Sequence, residues 1–326
     1  METPVTFPNK LGQTLFGILH MPEAPPPGER RLAVNLLNPG IKYRVAPNRL
    51  NVSLARELCS IGIPVLRFDP TGIGDSQGDL PYGVLVPDIW ERIQKGAFVS
   101  DTLCANDYLV RCSGLDRLVL IGNCGGAITA LLASTQDHRI RALCLIDVPV
   151  NLRTADMSFA DKVLEGGDRA DRLYKQYVKK AFHLSSWIRF LTLKTDYRSL
   201  FKLLRMKFPH LQLRNKTKTP HPEVIERLCR QGRLNRLFFE SFAAFATSHR
   251  PALFLLAGND PGTEFFLKYV SSTHFLDRTG GIPGHTQTQV AVIENANHAY
   301  TQSDSKIALK ARILEFVSSV QTRALP

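Results

Sequence analysis

The sequence predicts an α/β protein with a mostly parallel, doubly wound sheet, helices on both faces, and a helical cap insertion late in the chain. Three observations carry this. Short apolar runs alternate with helix-length segments over 1–150 and resume at 251–326, as expected for strands buried on both faces between crossover helices. Residues 151–250 lack a strand-like apolar run and show helical periodicity with dense charge. Finally, Leu118-Val119-Leu120-Ile121-Gly122-Asn123-Cys124-Gly125-Gly126-Ala127 passes from an apolar strand through a Gly-x-Cys-x-Gly turn into a helical segment.

In chain order, strands are expected at 14–20 and 32–37, a helix at 48–60, and a strand at 64–68, each bounded by turn residues. One helical stretch over 86–111 leads to a strand at 117–121, the Gly-x-Cys-x-Gly turn, its helix at 128–134, and a strand at 142–146. After the insertion the core pattern returns at 251–257, with a last strand at 289–293 and a closing helix at 304–320. The proline run Pro25 to Pro27 reads as a loop. This divides the chain into a core of 1–150 with 251–326 and a basic helical cap, or lid, at 151–250.

Charge sharpens that division. Residues 1–150 hold 14 Lys/Arg against 14 Asp/Glu, 251–326 hold 6 against 6, and 151–250 hold 21 against 9, so the insertion carries all of the +12 net charge. Its dense part, from Lys175 to Lys207, interleaves basic residues with Phe182, Trp187, Phe190 and Phe201. A solvated lid packing its apolar face on the core accounts for this pattern. So does a surface for acidic partners or for anionic lipid headgroups. No nucleic-acid recognition motif accompanies the charge, and nucleic acid is not an expected partner.

No run approaches the roughly 18 apolar residues of a membrane span. Six scattered cysteines form no Cys-x-x-Cys pair and no metal-spaced cluster with histidine. Reduced thiols, a cytoplasmic location and no metal or cofactor are therefore the expectation. Asn51-Val52-Ser53 matches a glycosylation pattern that this setting makes accidental.

The chemistry centres on Cys124. At the apex of a tight strand-to-helix turn a side chain is displayed on strained backbone, and the positions two residues to either side must be small so that strand and helix can approach. Gly122 and Gly126 satisfy this. A sulfur there meets unpaired helix N–H groups and a dipole that favours an anion. The alternative is a small packing residue in a glycine-rich turn.

Together these residues resemble the α/β-hydrolase superfamily over most of the chain outside the insertion. The elbow Gly122-Asn123-Cys124-Gly125-Gly126, the acid in Gly258-Asn259-Asp260 and the histidine in Asn295-Ala296-Asn297-His298-Ala299 follow the order nucleophile, acid, base. Leu37-Asn38-Pro39-Gly40-Ile41 stands where the superfamily has its oxyanion loop, and Asp69-Pro70-Thr71-Gly72-Ile73-Gly74-Asp75-Ser76 looks like its Asp-x-x-Gly-x-Gly-x-Ser turn. Tyr43-Arg44 together with Ile63-Pro64-Val65-Leu66-Arg67-Phe68-Asp69 is similar to hydrolases associated with exosortase A systems. The elbow cysteine resembles that of dienelactone hydrolases.

The resemblance implies a triad of Cys124 as nucleophile, His298 as base and Asp260 as orienting acid, with Asp147 as the competing acid. It implies an oxyanion hole from the N–H of Gly125 and one from the loop, Ile41 or else Gly40 or Lys42, because Pro39-Gly40 replaces the usual His-Gly. Asp75 and Ser76 are expected to fix their own loop. Sulfur in place of the usual serine points to an acyl-cysteine intermediate. A thioester of coenzyme A or of an acyl carrier protein exchanges with it at little cost, whereas an oxygen ester reacts uphill. The expected function is thus a thioesterase or acyltransferase. The alternatives are an ester or lactone hydrolase of dienelactone-hydrolase type and a non-catalytic binding protein of the same fold.

Overall fold

The computed structural model describes residues 1–23, 31–80, 86–152, 222–270 and 287–322. The proline run, the Lys175 to Lys207 segment and residues 153–221 of the expected cap lie outside the described residues.

Eight strands form one sheet in the order β1-β2-β4-β3-β5-β6-β7-β8. They are β1 (Glu2–Pro8), β2 (Thr14–His20), β3 (Ala33–Leu37), β4 (Val65–Phe68), β5 (Leu118–Asn123), β6 (Ile140–Ile146), β7 (Ala252–Ala257) and β8 (Thr288–Ile293). Only β2 runs against the others; β4, β3, β5, β6, β7 and β8 are parallel. The alternating apolar residues of each central strand serve two different cores. Leu118 and Leu120 of β5 face a layer built by α3 (Val99–Ser113), α4 (Gly125–Ser134) and helical residues further on. Val119 and Ile121 face a layer built by α1 (Leu50–Ser60) and the C-terminal helix Ser303–Thr322. Both faces of a parallel sheet must be covered, and the period of two puts apolar residues on each.

Three expectations need correction. The edge strand β1 was not foreseen: Pro4 and Pro8 argue against an interior strand, and an edge position is where proline is tolerated. The single helix expected at 86–111 is two, α2 (Val86–Gln94) and α3, separated by a turn in which Gly96 has φ 97°. Third, the core unit comprises Met1–Ala155 and Pro220–Pro326, so the C-terminal part of the expected 151–250 insertion belongs to it. There lie α5 (Pro222–Arg230) and α6 (Arg236–Thr247). The reason is a phenylalanine face at helical spacing: Phe238, Phe242 and Phe245 are buried, and Phe242 meets Phe254 of β7 edge-on at 5.1 Å. Asn235 N–H closes this return with a 2.8 Å bond to the Val150 carbonyl. No helix among the described residues is long and apolar enough to cross a membrane.

The remaining α-helices among the described residues are α7 (Pro261–Tyr269) and α8 (Ser303–Thr322). The chain moves outward from β3 to β4 on one side and returns to β5 on the other. The C-terminal ends of β3 and β5, with Leu37 opposite Gly122, therefore flank the point where strand order reverses. Loops diverging there leave a crevice, the usual ligand position in open α/β sheets.

A Cβ on Gly122 would run into the backbone of Gly126, and one on Gly126 would stand 2.5 Å from the Asn38 carbonyl oxygen. Each clash is with backbone that cannot step aside. Gly126→Ala is therefore expected to cost more than about 3 kcal/mol or to abolish folding; urea denaturation showing a loss under 1 kcal/mol would contradict this packing.

Candidate active site

Cys124 stands between β5 and α4 with φ 52° and ψ −114°, a conformation that L-residues rarely adopt. Its N–H donates to the Ile146 carbonyl at 2.8 Å, and its carbonyl accepts from Ala127 at 3.0 Å, so sheet and helix both hold the strain. The residue is 5% exposed.

The opposing loop is built by a side chain that the sequence reading left unassigned. Asn38, buried, donates from Nδ2 to the carbonyls of Gly40 at 3.2 Å and Lys42 at 2.5 Å. An asparagine ahead of Pro-Gly was the available signal for such a turn. Within the loop Gly40 N–H donates to Asn38 at 2.9 Å and Lys42 N–H to Pro39 at 3.3 Å, which leaves Ile41 as the loop amide without a backbone acceptor among the described residues. The Gly125 N–H at the start of α4 likewise has none. The two backbones touch, since a Cβ on Gly125 would fall 2.7 Å from Gly40 Cα. Of the three loop candidates, geometry favours Ile41.

Arg44 locks the far end of this loop. Its guanidinium pairs with buried Asp69 and with Asp75 at 2.7 Å, and it lies 4.4 Å over the Phe16 ring; its N–H donates to Asp69 at 2.6 Å. Burial pushes the Asp69 carboxyl up, with Arg44 acting against that. Ser76 donates to the Asp69 carbonyl at 2.6 Å and accepts from Phe16 at 2.8 Å. Asp75 and Ser76 thus hold their own turn. Asn51 is buried and donates to the Leu37 carbonyl at 3.3 Å, which leaves no room for a glycan.

Two loops bring the acid and the base together. Gly258 N–H bonds the Ile293 carbonyl at 2.9 Å and Asn259 N–H the Ala296 carbonyl at 2.8 Å, stitching the segment after β7 to the segment after β8. Asp260 is the N-cap of α7: Oδ1 accepts from Gly262 at 2.8 Å, and Oδ2 is bonded to Nδ1 of His298. With Nδ1 so engaged, Nε2 is the ring nitrogen left for Cys124, which lies close enough to the imidazole to raise its proton affinity. The structure thus brings Cys124, His298 and Asp260 near one another. Burial opposes charge on His298, but the neighbouring Cys124 sulfur and the bond to Asp260 prevail and raise it well above the usual imidazole range.

Asp147, the competing acid, is present as well. Its Oδ2 lies 3.8 Å from His298 Nδ1, and its Oδ1 accepts from Ala257 at 2.7 Å. Burial pushes its carboxyl up to about 7, assisted by the Asp260 charge and opposed by His298. The sequence reading missed Tyr300, a buried residue with φ 49° whose hydroxyl is directed at this carboxylate. Donor atoms of Asp147, Asp260 and His298 lie within 4.8 Å of one another. That spacing could hold a cation, but Nδ1 of His298 is already engaged by Asp260, and no metal is assigned.

Neither a family model nor a curated protein sequence matches this chain. Solved structures do. A proline iminopeptidase of Mycobacterium smegmatis superposes with TM-score 0.55 at 13% identity, covering 98% of this chain and 99% of its own. An esterase of Pyrococcus furiosus gives 0.54 at 14% identity, covering 98% and 90%. A hypothetical protein of Pseudomonas aeruginosa gives 0.51 at 19%, covering 98% and 93%. With the sheet order and these likenesses in place, the chain has the α/β-hydrolase fold.

Asp147→Asn keeps the acceptor for Ala257 and removes the ionisation. The folded state holds the Asp147 proton more tightly than an unfolded Asp of pKa ~3.9 does. Its stabilising contribution is therefore complete below pH ~4 and is lost as pH rises through about 7. Thermal melts should show the variant gaining several degrees on the parent protein at pH 8.5 and little at pH 4.5; an equal difference at both would contradict the assignment.

Proposed function

We propose that the protein is an acyl-transfer enzyme, a thioesterase or acyltransferase, that forms an acyl-cysteine intermediate from an activated acyl thioester. The observation that carries this reading is the Cys124 thiol on the strained elbow with His298 against it and Asp260 behind. The fold it shares with an esterase and a peptidase supports acyl hydrolysis in general. The sulfur narrows the donor.

In the reaction His298 Nε2 takes the Cys124 proton, and the thiolate attacks the acyl carbonyl, forming a new C–S bond. Negative charge gathers on the carbonyl oxygen, where the N–H groups of Gly125 and Ile41 receive it; two such donors are worth several kcal/mol in the transition state. Collapse breaks the original C–S bond, and the departing thiolate takes the proton from His298. An acceptor, water or an alcohol or amine, then gives its proton to His298 and attacks the acyl carbon, expelling the Cys124 thiolate. Asp260 holds the tautomer that leaves Nε2 free to accept.

The donor's form follows from charge. The net basic insertion suits the phosphates of coenzyme A or an acidic acyl carrier protein, each presenting an acyl group. An anionic membrane surface is a weaker match, since nothing in the donor chemistry requires it.

Intact-mass spectrometry after mixing with acyl-coenzyme A is expected to show an acyl adduct on Cys124, and Cys124→Ala should lose turnover by ~10³-fold or more. Absence of the adduct together with persisting turnover in Cys124→Ala would end this reading. Rapid turnover of small oxygen esters with no preference for thioesters would instead favour the ester or lactone hydrolase. If the basic segment meets the donor, raising salt from about 0.05 to about 0.5 M should lower kcat/KM for acyl-coenzyme A several-fold and leave an uncharged thioester unaffected.

A further inference from the structure

Helix α2 meets the loop after β3 through one turn and the chain on either side of 153–221 through the next, and neither contact enters the acyl transfer described above. Trp90 fills the place where Gly40, with φ 63°, would carry a side chain: a Cβ there would fall 2.5 Å from two carbons of the indole ring. One turn on, Ile93 approaches Gly125 in the same way, its Cγ2 lying 3.0 Å from an added Cβ. Ile41 packs against the small cluster of Ile73, Ile93 and Phe98, as Trp90 does. At the end of α2, Gln94 is fully buried. Its Nε2 donates to the Asn151 carbonyl at 2.8 Å, and its own carbonyl accepts from Asn235 Nδ2 at 3.0 Å. Asn151 in turn pairs with Leu234 in an antiparallel bridge. The last turn of α2 is thus fastened to two segments of the core at once.

The peptide between Gly40 and Ile41 has need of such a support. It is trans, so its carbonyl and its N–H point opposite ways. The carbonyl accepts from Asn38 Nδ2 at 3.2 Å, the long end of the range for such a bond, and the Ile41 N–H therefore faces away from Asn38. Glycine offers little resistance to turning this peptide over, which would send the N–H the other way. The indole closes the Cβ side of Gly40 to the swinging carbonyl oxygen. We propose that Trp90 is a positioning residue for the loop after β3: with Gln94 anchoring α2, it keeps the Ile41 N–H in the orientation that receives charge from the acyl oxygen. This rests on the reading of Ile41 as an oxyanion donor.

Acyl transfer and alkylation separate this role from a general loss of structure. Iodoacetamide is attacked at a saturated carbon, iodide leaves and no oxyanion forms, so its rate at Cys124 reports the thiolate alone. Hydrolysis of p-nitrophenyl acetate needs the oxyanion donors whatever the natural acyl donor is. In the full chain, Trp90→Ala is expected to lower kcat for this ester about 10–100-fold and to change KM less than about threefold. Alkylation of Cys124, followed by intact mass, should stay within about twofold of the unaltered protein. Trp90→Phe, which restores a ring, should recover most of the lost turnover. Gln94→Met keeps the length and removes the donor, and should lower kcat about 3–10-fold with the same split. In isotope-labelled protein the Ile41 amide resonance should broaden or double in Trp90→Ala. Unchanged turnover in Trp90→Ala, or turnover and alkylation falling together, would overturn the proposal. If the unaltered protein hydrolyses the ester but takes no acyl group from coenzyme A, the thioester reading fails and the Trp90 comparison stands. If it turns over neither, the acyl-transfer reading fails, and an Ile41 resonance unchanged in Trp90→Ala removes the positioning role as well.

Discussion

Gly126 touches Gly122 on one side and Asn38 on the other, and this three-way backbone approach sets where every reactive atom lies. Because no side chain intervenes, α4 can start within one residue of the end of β5, and Cys124 is forced onto the strained apex. The same approach draws the loop after β3 against the first turn of α4, so that Gly40 and Gly125 touch. Strain at Cys124 is sustained by bonds to Ile146 in the sheet and Ala127 in the helix. Local distortion of this kind survives only where the surroundings over-determine it.

A second constraint is electrostatic. His298 lies beside two carboxylates that differ in what they do: Asp260 caps a helix and bonds Nδ1, while Asp147 pins two strands and lies 3.8 Å from the same nitrogen. The orientation of the ring is thus tied through Asp260 to the loop after β7. Arg44 plays a comparable part at the opposite end. Its buried pairing with Asp69, reinforced by Asp75 and the Phe16 ring, joins the loop after β3 to the turn after β4. Removing one partner of such a pair strands the other charge, so the cost would be felt in loop geometry as well as stability.

How much of this can be read from sequence depends on the range of the interaction. The elbow, Asp260 and His298 are legible because each directly follows an apolar strand, and parallel strands deliver their C-terminal ends to one edge. The competing acid is legible for the same reason: Asp147 ends β6. What sequence cannot decide is that both acids reach the same imidazole, because that depends on the backbone stitching of Gly258 and Asn259 to the β8 loop. Tyr300 escapes notice because a buried tyrosine in a polar loop has no pattern of its own. The edge strand β1 is hidden by its prolines. The phenylalanine face of α6 was visible as Phe238, Phe242 and Phe245, but the charge around it drew the boundary of the insertion too far, to residue 250.

Trp90 packs its ring on Gly40, so closely that an added Cβ there would fall 2.5 Å from two ring carbons. With only two tryptophans in the chain, an indole thus sits on the neighbour of Ile41, in the loop after β3. The protein therefore carries its own optical label where the loop after β3 meets α2, so ultraviolet emission is a direct probe of that contact.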